Sequence, residues 1–384
     1  MPKIRVLHFV VRLSYGGIET WLSEVLSHYD HSRFQMDVCC VAKRPDLGEL
    51  ADRARQNGAY IHYLPINQAG FFFRLLKLLR GNYDVVFAHI EPVFSVVLLL
   101  ASRLAGVPVR ILSHHNTEFS FLNRWPYLQT GALKLSVGLS TYVTGCSQTT
   151  LDYLHPGWQE NSQFSTLNYG IDMQRYYPQR DRTVLANIPG VSEMAPIVGH
   201  IGRFSPQKNH PAFVAMAGEL LRLVPEARFV LIGQGALRPQ VEKMVAQAGL
   251  ADSVHFLGPR SDIPDLLNAI DVLYYPSHYE GFPVTFIEAQ ASGVPVVTGL
   301  RPELREAICP ENVDLLTVDI GNPVLAAQRI HRLLTDQVLW QTVSQRGQVW
   351  ARQNFSIEQS TRRLEEIILS GMAGASSPAS EARA

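Results

Sequence analysis

Residues 272–297 read VLYYPSHYEGFPVTFIEAQASGVPVV, and this stretch shows the repeating pattern of the fold. An apolar run ends at Tyr275, a loop with glycine and proline follows, a helix extends from Pro283 to about Ala291, and Val294–Val297 is a second apolar run. Short apolar runs that a helix separates predict parallel β-strands with helices packed against the sheet.

The same alternation continues in both directions along the chain and predicts an α/β protein of the doubly wound class. Its length allows two Rossmann-like domains that face a central cleft. Because ligands of open α/β sheets bind at the carboxyl ends of the strands, we expect those ends to face the cleft. The predicted strands are Ile4–Val10, Met36–Val41, Tyr60–Leu64, Asp84–Ala88, Val109–Leu112, Tyr142–Gly145, Phe164–Leu167, Ile197–Ile201, Phe229–Ile232, His255–Leu257, Val272–Tyr275, Val294–Val297 and Leu315–Val318.

Changes in this pattern predict the domain boundaries. Over residues 173–195 proline, glycine and polar residues replace the periodic pattern, which is typical of a linker. We therefore predict a first domain over 1–172 and a second over 196–353, followed by a helix over 354–370. The remaining residues, 371–384, are small and polar, which predicts a disordered tail.

Composition excludes several classes of protein. The chain has 384 residues, 46% of them hydrophobic and 18% charged, with a formal net charge of zero, so it can bury two cores and lacks the basic excess of a nucleic-acid-binding protein. There is no secretory signal and no apolar run of about 20 residues, so we expect a cytoplasmic protein without a transmembrane helix. Four cysteines without metal-binding spacing predict buried free thiols: Cys39, Cys40, Cys146 and Cys309.

The loop and helix that follow Val272–Tyr275 form a candidate binding site. Pro283 fits the first position of a helix, where its missing N–H has no consequence. The amides of Val284, Thr285 and Phe286 would then point out of the helix start, where they can bind a phosphate group.

Two glutamates flank this helix start. Glu280 and Glu288 are either solvated surface residues or acceptors for the hydroxyl groups of a sugar and a ribose. Gly281 and Phe282 shape the loop between them, and the helix face around Glu288 is otherwise apolar, where an unpaired charge is costly. These features favour the binding role.

The segment Gly202–His210 carries two cations at the end of the first strand of the second domain. Arg203 can make a forked contact with phosphate oxygens and Lys208 adds a point charge, which suits a pyrophosphate group; the alternative is two solvated cations. The glycine turn Gly233–Gly235 fits a structural role, and Arg260 is a candidate for contact with a nucleotide base.

Two motifs of the first domain could contact a ligand. Gly16 and Gly17 precede a helix and either allow close approach of an anion or form a tight turn, and their spacing is not the G-x-G-x-x-G of nicotinamide and flavin enzymes. After Val109–Leu112, His114 and His115 are either ordinary loop residues or partners of a reacting sugar. Neighbouring residues of an extended chain point to opposite sides, so only one should face the cleft, and a paired-histidine metal site is disfavoured.

The segment 71–80, FFFRLLKLLR, is strongly apolar and basic at helical spacing. It predicts either a helix that lies on an anionic membrane surface or a helix that covers the core and has a basic rim. The sequence leaves both alternatives open.

Together these motifs resemble the family 4 glycosyltransferases of the GT-B fold, especially the bacterial exopolysaccharide and capsule enzymes. The resemblance covers nearly the whole chain except the tail. The chain departs from the family pattern in having Pro283 where a glycine is frequent, and His-His-Asn where a single histidine precedes aspartate. The matching segments are Gly16–Glu19, His115-Asn116, Asn168–Asp172, Gly202-Arg203 with Lys208, Glu280-x7-Glu288, and Glu288–Val297.

The resemblance implies a retaining hexosyl transfer from a UDP- or GDP-sugar to a glycan or polyprenyl-linked acceptor, with no cofactor and no metal ion. It places the enzyme in exopolysaccharide, capsule or O-antigen synthesis, in the cytoplasm and in peripheral contact with the inner face of the cell membrane. The first domain would serve the acceptor and the second the nucleotide sugar, and the helix over 354–370 would cross back to the first domain.

The resemblance also implies a role for individual residues. Arg203 and Lys208 would hold the diphosphate and stabilise the charge that develops on it, since the leaving phosphate of front-face enzymes helps to deprotonate the acceptor. Glu288 would hold the ribose, and Glu280 with the amides that follow it the sugar. The implied catalytic residues are His115 (or His114), Glu280, Arg203 and Lys208, and the implied donor-binding residues are Gly16, Gly17, Arg203, Lys208, Arg260, Glu280, Gly281, Phe282, Val284, Thr285 and Glu288.

Two other functions are compatible with this architecture. A sugar-nucleotide 2-epimerase would need acid and base groups around the cleft, and the Glu-x7-Glu loop fits a transferase better. A non-catalytic partner subunit of a polysaccharide assembly complex would keep the fold and lose the donor site, whereas Arg203, Lys208, Glu280 and Glu288 are all present.

Overall fold

A computed structural model describes residues 2–13, 16–42, 48–90, 92–116, 126–186, 188, 191–192 and 194–375. The strands are β1 Ile4–Val10, β2 Phe34–Cys40, β3 Ile61–Tyr63, β4 Val85–Ala88, β5 Val109–His114, β6 Tyr142–Gly145, β7 Phe164–Thr166, β8 Ile197–Ile201, β9 Arg228–Ile232, β10 Val254–Gly258, β11 Val272–Tyr275, β12 Val296–Gly299 and β13 Thr317–Val318. The helices are α1 Gly17–His28, α2 Glu49–Gln56, α3 Phe71–Leu79, α4 Pro92–Leu104, α5 Pro126–Leu139, α6 Gln148–Leu154, α7 His210–Leu223, α8 Arg238–Gln247, α9 Ile263–Ala269, α10 Val284–Ala291, α11 Pro302–Arg305, α12 Val313–Leu316, α13 Pro323–Thr335, α14 Gln337–Asn354 and α15 Ile357–Ala375.

The chain divides into two compact units. Unit 1 comprises Met1–Gly170 and Ile357–Ala384, and unit 2 comprises Ile171–Ser356. The segment 173–195, which the sequence suggests is a linker, belongs to unit 2. It is attached there because Arg182 donates to Asp271 at 2.7 Å and Leu185 is fully buried.

Unit 1 contains a parallel sheet of seven strands in the order β3-β2-β1-β4-β5-β6-β7. Its core is aliphatic and aromatic, as the apolar strands predict. Strand β5 runs two residues beyond its predicted end, because Ser113 pairs with Thr144 and His114 with Gly145 on β6. His114 therefore lies within the sheet and His115 is the first residue after it.

Helix α15 packs on unit 1. The indole Nε1 of Trp21 donates to Ser360 Oγ at 2.8 Å, and Ser360 Oγ donates to the carbonyl of Asn168 at 2.7 Å. The helix continues to Ala375, so the prediction of a disordered tail from residue 371 is wrong for residues 371–375. Gly371 allows close packing, since a Cβ there would lie 2.8 Å from a methyl group of Val109. Residues 376–384 lie outside the described residues.

Unit 2 contains a parallel sheet of six strands in the order β10-β9-β8-β11-β12-β13. This is the order of a doubly wound fold. From β8 the strands are added toward one edge of the sheet up to β10, and from β11, which is the other neighbour of β8, they are added toward the opposite edge. Strand β12 begins two residues later than predicted, because the amide of Val294 still bonds to the carbonyl of Ala289 at the end of α10. The order of strands brings the loops after β8 and β11 to the same edge of the sheet.

Candidate active site

Two loops of unit 2 are joined by hydrogen bonds of Gln207. One loop follows β8 and carries Gln207; the other follows β11 and carries Glu280. The carbonyl of Gln207 accepts from the amide of His278 at 2.9 Å, and its side-chain Nε2 donates to the carbonyl of Tyr279 at 2.9 Å and to Glu280 Oε2 at 3.2 Å. The two predicted donor-site loops therefore form one structure.

Lys208 and Glu280 form an ion pair at the centre of this structure. Lys208 Nζ lies 2.6 Å from Glu280 Oε1 and 2.7 Å from the hydroxyl of Tyr275, and it stands 4.6 Å from the centre of the Tyr275 ring. The side chains of Lys208 and Glu280 are only 13% and 9% exposed. Burial by itself would lower the pKa of Lys208, but the Glu280 carboxylate and the Tyr275 oxygen outweigh it and raise that pKa above its usual value.

Arg203 lies on the same loop as Lys208, and its side chain is exposed to solvent. Its guanidinium has no hydrogen-bond or ion-pair partner within the described ranges of the chain. A planar guanidinium with free donors suits a phosphate group, which it can contact through two parallel hydrogen bonds.

The glycine turn after β9 supports the backbone on both sides of Arg203. The amide of Gly202 donates to the carbonyl of Ile232 at 2.9 Å, and the amide of Phe204 donates to the carbonyl of Gln234 at 3.0 Å. Gly233 has a φ of 139°, and a Cβ there would lie 2.0 Å from the carbonyl oxygen of Gly202. Only glycine permits this approach, so the turn has a structural role in holding the loop that carries Arg203.

The start of α10 differs by one residue from its prediction. Pro283, with a φ of −79° and a ψ of 90°, is the N-cap and not the first helical residue, so the prediction for Pro283 is wrong. The amide of Phe286 donates to the carbonyl of Pro283 at 2.9 Å and is not available to a phosphate group. Val284 and Thr285 remain half-buried at the helix start.

The other predicted residues of the Glu280 loop are buried. Gly281 and Phe282 are both buried, and the Phe282 ring packs against Phe355 with ring centres 5.3 Å apart. This contact anchors the loop to the end of α14 and limits its freedom to move.

Glu288 lies on α10 and accepts a hydrogen bond from the Tyr176 hydroxyl at 2.7 Å. Tyr176 is buried and belongs to the segment 173–195. The apolar surroundings of Glu288 led us to expect a partner, but its identity could not be predicted because the two residues are 112 positions apart.

Arg260 follows β10, an edge strand that β9 and β8 separate from β11. Its Nε donates to Asp262 Oδ1 at 2.7 Å, and its Nη2 also contacts this carboxylate. The guanidinium is thus committed to Asp262, and its contacts do not include the Lys208–Glu280 pair.

In unit 1, the predicted glycines stand where α1 begins. Gly16 is the N-cap and Gly17 the first helical residue. A Cβ on Gly16 would lie 2.3 Å from Glu19 Oε2, so the carboxylate of Glu19 already occupies the space beside the glycine. Ser14 and Tyr15, which complete this motif, lie outside the described residues.

His115 belongs to a hydrogen-bonded group that the sequence did not reveal. Its Nε2 lies 3.1 Å from His89 Nδ1, its Nδ1 contacts the hydroxyl of Tyr169, and His89 Nε2 lies 2.9 Å from His8 Nδ1. Burial lowers the pKa of both His8 and His115 to about 3, and that of His89 falls well below its ordinary value because of burial and its histidine neighbours. The rings are therefore neutral near pH 7.

His114 has different surroundings. Its Nε2 lies 3.0 Å from Nε2 of His155, and burial, followed by the influence of His155 and His115, lowers the pKa of His114. The two adjacent histidines thus contact different partners, as alternation along an extended chain requires.

The described residues contain neither a metal-binding cluster nor a membrane-spanning helix. In the described ranges, no group of three or more His, Cys, Asp or Glu side chains is arranged to hold a metal ion. All four cysteines are free and buried, as predicted. No helix in the part of the chain that the structure describes combines the length and apolar character needed to cross a membrane.

Comparison with protein families gives two matches, one in each half of the chain. Residues 181–350 match the family described as glycosyl transferases group 1. Residues 15–175 match the family described as glycosyltransferase family 4.

Several known proteins are similar to this chain over most of its length. EpsF of Bacillus subtilis (strain 168) is 30% identical over 306 residues, which cover 76% of this chain and 78% of EpsF. The UDP-Gal:alpha-D-GlcNAc-diphosphoundecaprenol alpha-1,3-galactosyltransferase of Escherichia coli is 25% identical over 315 residues, covering 77% and 79% of the two chains. Anabaena HepE, solved in complex with UDP-glucose, superimposes with a TM-score of 0.78 at 20% identity, over 96% of this chain and 100% of HepE.

The structural likeness to HepE establishes the fold, and the two family matches together with the identity to EpsF establish the relationship. The chain belongs to the family 4 glycosyltransferases and has the GT-B fold.

Proposed function

We propose that this enzyme transfers a hexose, with retention of configuration, from a UDP- or GDP-sugar to a glycan or polyprenyl-linked acceptor. The observation that carries the proposal is the buried Lys208–Glu280 pair, whose Lys208 lies on the same loop as the exposed Arg203, since these residues combine cations for a diphosphate with a carboxylate for sugar hydroxyls. HepE binds UDP-glucose, and the name of the Escherichia coli relative includes UDP-Gal, which supports a nucleotide sugar as the donor.

Arg203 is the first candidate for binding the diphosphate. Lys208 is already paired with Glu280, whereas the guanidinium of Arg203 points to solvent without a partner in the described part of unit 2. We expect Arg203 to contribute most of the attraction for the anionic donor. Lys208, further along the same loop, adds its charge when the leaving phosphate develops negative charge.

Glu280 and Glu288 are the candidate residues for the hydroxyl groups of the donor. Glu280 is paired with Lys208 as an ion, and an ionised carboxylate accepts hydrogen bonds from sugar hydroxyls. Glu288 is held by Tyr176, which fixes its carboxylate for a ribose. The amides of Val284 and Thr285 at the start of α10 complete the proposed donor site.

We propose that the leaving phosphate, and not a protein base, takes the proton of the acceptor hydroxyl. The bond between the anomeric carbon and the phosphate oxygen breaks on the same face on which the acceptor oxygen bonds, so configuration is retained. Arg203 and Lys208 would neutralise the diphosphate in place of a metal ion. The sugar leaves as a glycoside and the nucleotide as a diphosphate.

We propose that unit 1 binds the acceptor. We also propose that the enzyme works at the cytoplasmic face of the cell membrane, in the synthesis of an extracellular polysaccharide. Helices α3, α4 and α5 are consecutive neighbours whose described residues include no acidic side chain. On α3, Phe73 is 75% exposed and the cations Arg74 and Lys77 are exposed as well, and on α5 Tyr127 is 92% exposed. A cationic surface with exposed aromatic rings suits anionic lipids, although Phe71, Leu75 and Leu79 of α3 face the core.

A thermal-shift screen tests the donor site first. The purified protein is heated with UDP, GDP, ADP and TDP and with their common sugars, with and without magnesium. We expect a rise in unfolding temperature with one nucleoside diphosphate, and no rise for Arg203→Ala. Arg222→Ala, which removes an exposed cation that pairs with Glu219 on α7, is the matched control and should respond like the wild type.

Product analysis then tests the reaction. The NMR coupling constant of the anomeric proton in the product should match that of the donor, and release of nucleoside diphosphate should accompany a new glycosidic bond. An inverted product would refute retention, and an epimerised donor without a new bond would refute transfer. The absence of any nucleotide-induced shift would refute the donor site.

A further inference from the structure

A chain of hydrogen-bonded side chains crosses the interior of unit 1. It runs from His8 on β1 through His89, which follows β4, to His115, which follows β5, and on to Tyr169. Strands β1, β4 and β5 are adjacent in the sheet, and this order brings His8, within β1, next to the residues that follow β4 and β5. His8 and His89 stack with ring centres 5.2 Å apart and planes 10° apart.

The chain uses both nitrogens of the two later rings. His89 contacts His8 through Nε2 and His115 through Nδ1, while His115 contacts His89 through Nε2 and Tyr169 through Nδ1. A neutral imidazole has one N–H donor and one acceptor nitrogen, so each ring must donate in one direction and accept in the other. The tautomers of the three rings are therefore linked.

The end of the chain fixes its direction. His8 Nε2 is buried and has no hydrogen-bond partner in the described ranges. A buried N–H without a partner is rarer in proteins than an unpaired acceptor, so His8 carries its proton on Nδ1. His8 Nδ1 then donates to His89 Nε2, His89 Nδ1 donates to His115 Nε2, and His115 Nδ1 donates to the Tyr169 oxygen.

We propose that His8 and His89 are positioning residues that hold His115 in one orientation, with its proton on Nδ1. Because both nitrogens of His115 are engaged within unit 1, the ring would meet the substrate through its carbon atoms, in a fixed orientation, and would transfer no proton in the reaction. This inference rests on the proposed function, together with the contact between His115 and the sugar that the family resemblance implies.

Imidazole NMR tests the hydrogen-bonded chain without any substrate. Long-range ¹H–¹⁵N spectra of histidine-labelled protein at pH 7 distinguish a protonated from a bare ring nitrogen, and His→Asn variants assign the signals. We expect His8, His89 and His115 all to carry the proton on Nδ1. A proton on Nε2 of any of the three, or exchange between tautomers, would overturn the proposal.

Kinetics of two variants of similar shape test the positioning role. His89→Leu removes both hydrogen bonds, whereas His89→Asn keeps an N–H donor close to the position of Nδ1. Because small misplacements of a substrate-contacting group can cost about 100-fold, we expect His89→Leu to lower kcat about 10- to 100-fold with an unchanged KM for the donor, and His89→Asn to restore most of it. His62→Leu breaks a histidine–tyrosine contact of 2.8 Å with Tyr83 elsewhere in unit 1 and should keep the wild-type kcat.

The outcomes separate the two proposals. If the wild type transfers sugar and a folded His89→Leu variant keeps its kcat, the positioning role is wrong and the proposed function stands. If the wild type neither binds nor uses any nucleotide sugar, the proposed function fails and the substrate role of His115 with it, while the NMR spectra still confirm or refute the hydrogen-bonded chain. A loss of kcat in His89→Leu that His89→Asn does not restore would show a packing role for the ring and refute positioning through hydrogen bonds.

Discussion

Replacing Glu280 by alanine would leave the Lys208 ammonium buried with the Tyr275 hydroxyl as its one remaining hydrogen-bond partner in the described structure. Removal of one member of a buried ion pair typically costs about 3–5 kcal/mol, because the other charge stays in a medium of low dielectric constant. With 13% and 9% exposure, solvent screens this pair little. Tyr275 still contacts the ammonium at 2.7 Å, so we expect a loss near the lower limit, about 3 kcal/mol.

Urea denaturation at pH 7 measures this loss. Glu280→Ala and Lys208→Met should each lower the free energy of unfolding by about 3 kcal/mol, whereas the double variant Lys208→Met/Glu280→Leu should lose less than either, since it buries no unpaired charge. Because folding raises the pKa of Lys208, its contribution is complete below the ordinary value of 10.5 and is lost only as the pH rises through the higher folded-state value. The pair is therefore at full strength at pH 7.

A surface ion pair of unit 2 provides the control. Arg238 and Glu242 lie 2.8 Å apart on α8, and their side chains are 35% and 44% exposed, so Glu242→Ala should change the free energy of unfolding by less than about 0.5 kcal/mol. If Glu280→Ala is as mild as this control, or if the double variant loses the sum of the single losses, the Lys208–Glu280 pair is not a coupled buried pair. All three variants at positions 208 and 280 should fail to transfer sugar.

Arg203, the Glu288–Tyr176 contact, the glycine turn and the buried histidines each predict a measurable effect. Arg203→Ala should abolish transfer without altering the unfolding temperature, because the side chain is exposed. Glu288→Ala should abolish transfer and also lower the free energy of unfolding by about 1 kcal/mol, since the buried Tyr176 hydroxyl loses this hydrogen bond. A transfer assay combined with calorimetry measures both effects. Gly233→Ala should weaken nucleoside diphosphate binding about tenfold or more in titration calorimetry, because its Cβ would displace the loop that carries Arg203, and unchanged affinity would contradict this role of the turn. The free energy of unfolding should fall as the pH drops from 6.5 toward about 3, because the unfolded His8 ring takes up a proton that the folded ring does not. Each buried histidine of this kind contributes up to about 1.4 kcal/mol per pH unit. Urea denaturation at several pH values measures the effect, and a flat profile would refute it.

Most of the fold could be predicted from local sequence. Val272–Tyr275, Ile197–Ile201 and Tyr142–Gly145 have the predicted bounds, because parallel strands buried on both faces are apolar throughout. Boundaries that depend on pairing or backbone dihedral angles could not be predicted. The extension of β5 to His114 depends on its partners in β6, and the cap position of Pro283 depends on a ψ angle that residue type alone does not determine.

The site could be predicted only where its residues lie in one motif. The loops of Arg203 and Glu280 each have recognisable local chemistry, and both were identified. Tyr275 could have been found, since it ends the strand immediately before the Glu280 loop. Tyr176 could not, because only the tertiary structure places it against Glu288.

The histidine chain shows a different limit. His8 and His89 each look like an isolated polar residue within or after an apolar strand, where a satisfied core histidine is the ordinary interpretation. Their distance of 81 positions hides the contact between them, and only the strand order brings them together. A motif search therefore detects His115 and misses the residues that hold it.

Unit 1 is built from two segments that flank unit 2 in the sequence, and this determines when it can be completed during synthesis. Unit 2 is continuous from Ile171 to Ser356, so its sheet can close once that stretch has left the ribosome. The buried indole of Trp21 must wait for Ser360, which is made 339 residues later. The segment before Ile171 is thus translated before unit 2 but completed after it, and a chain that terminates before α15 would expose the surface of unit 1 that this helix covers.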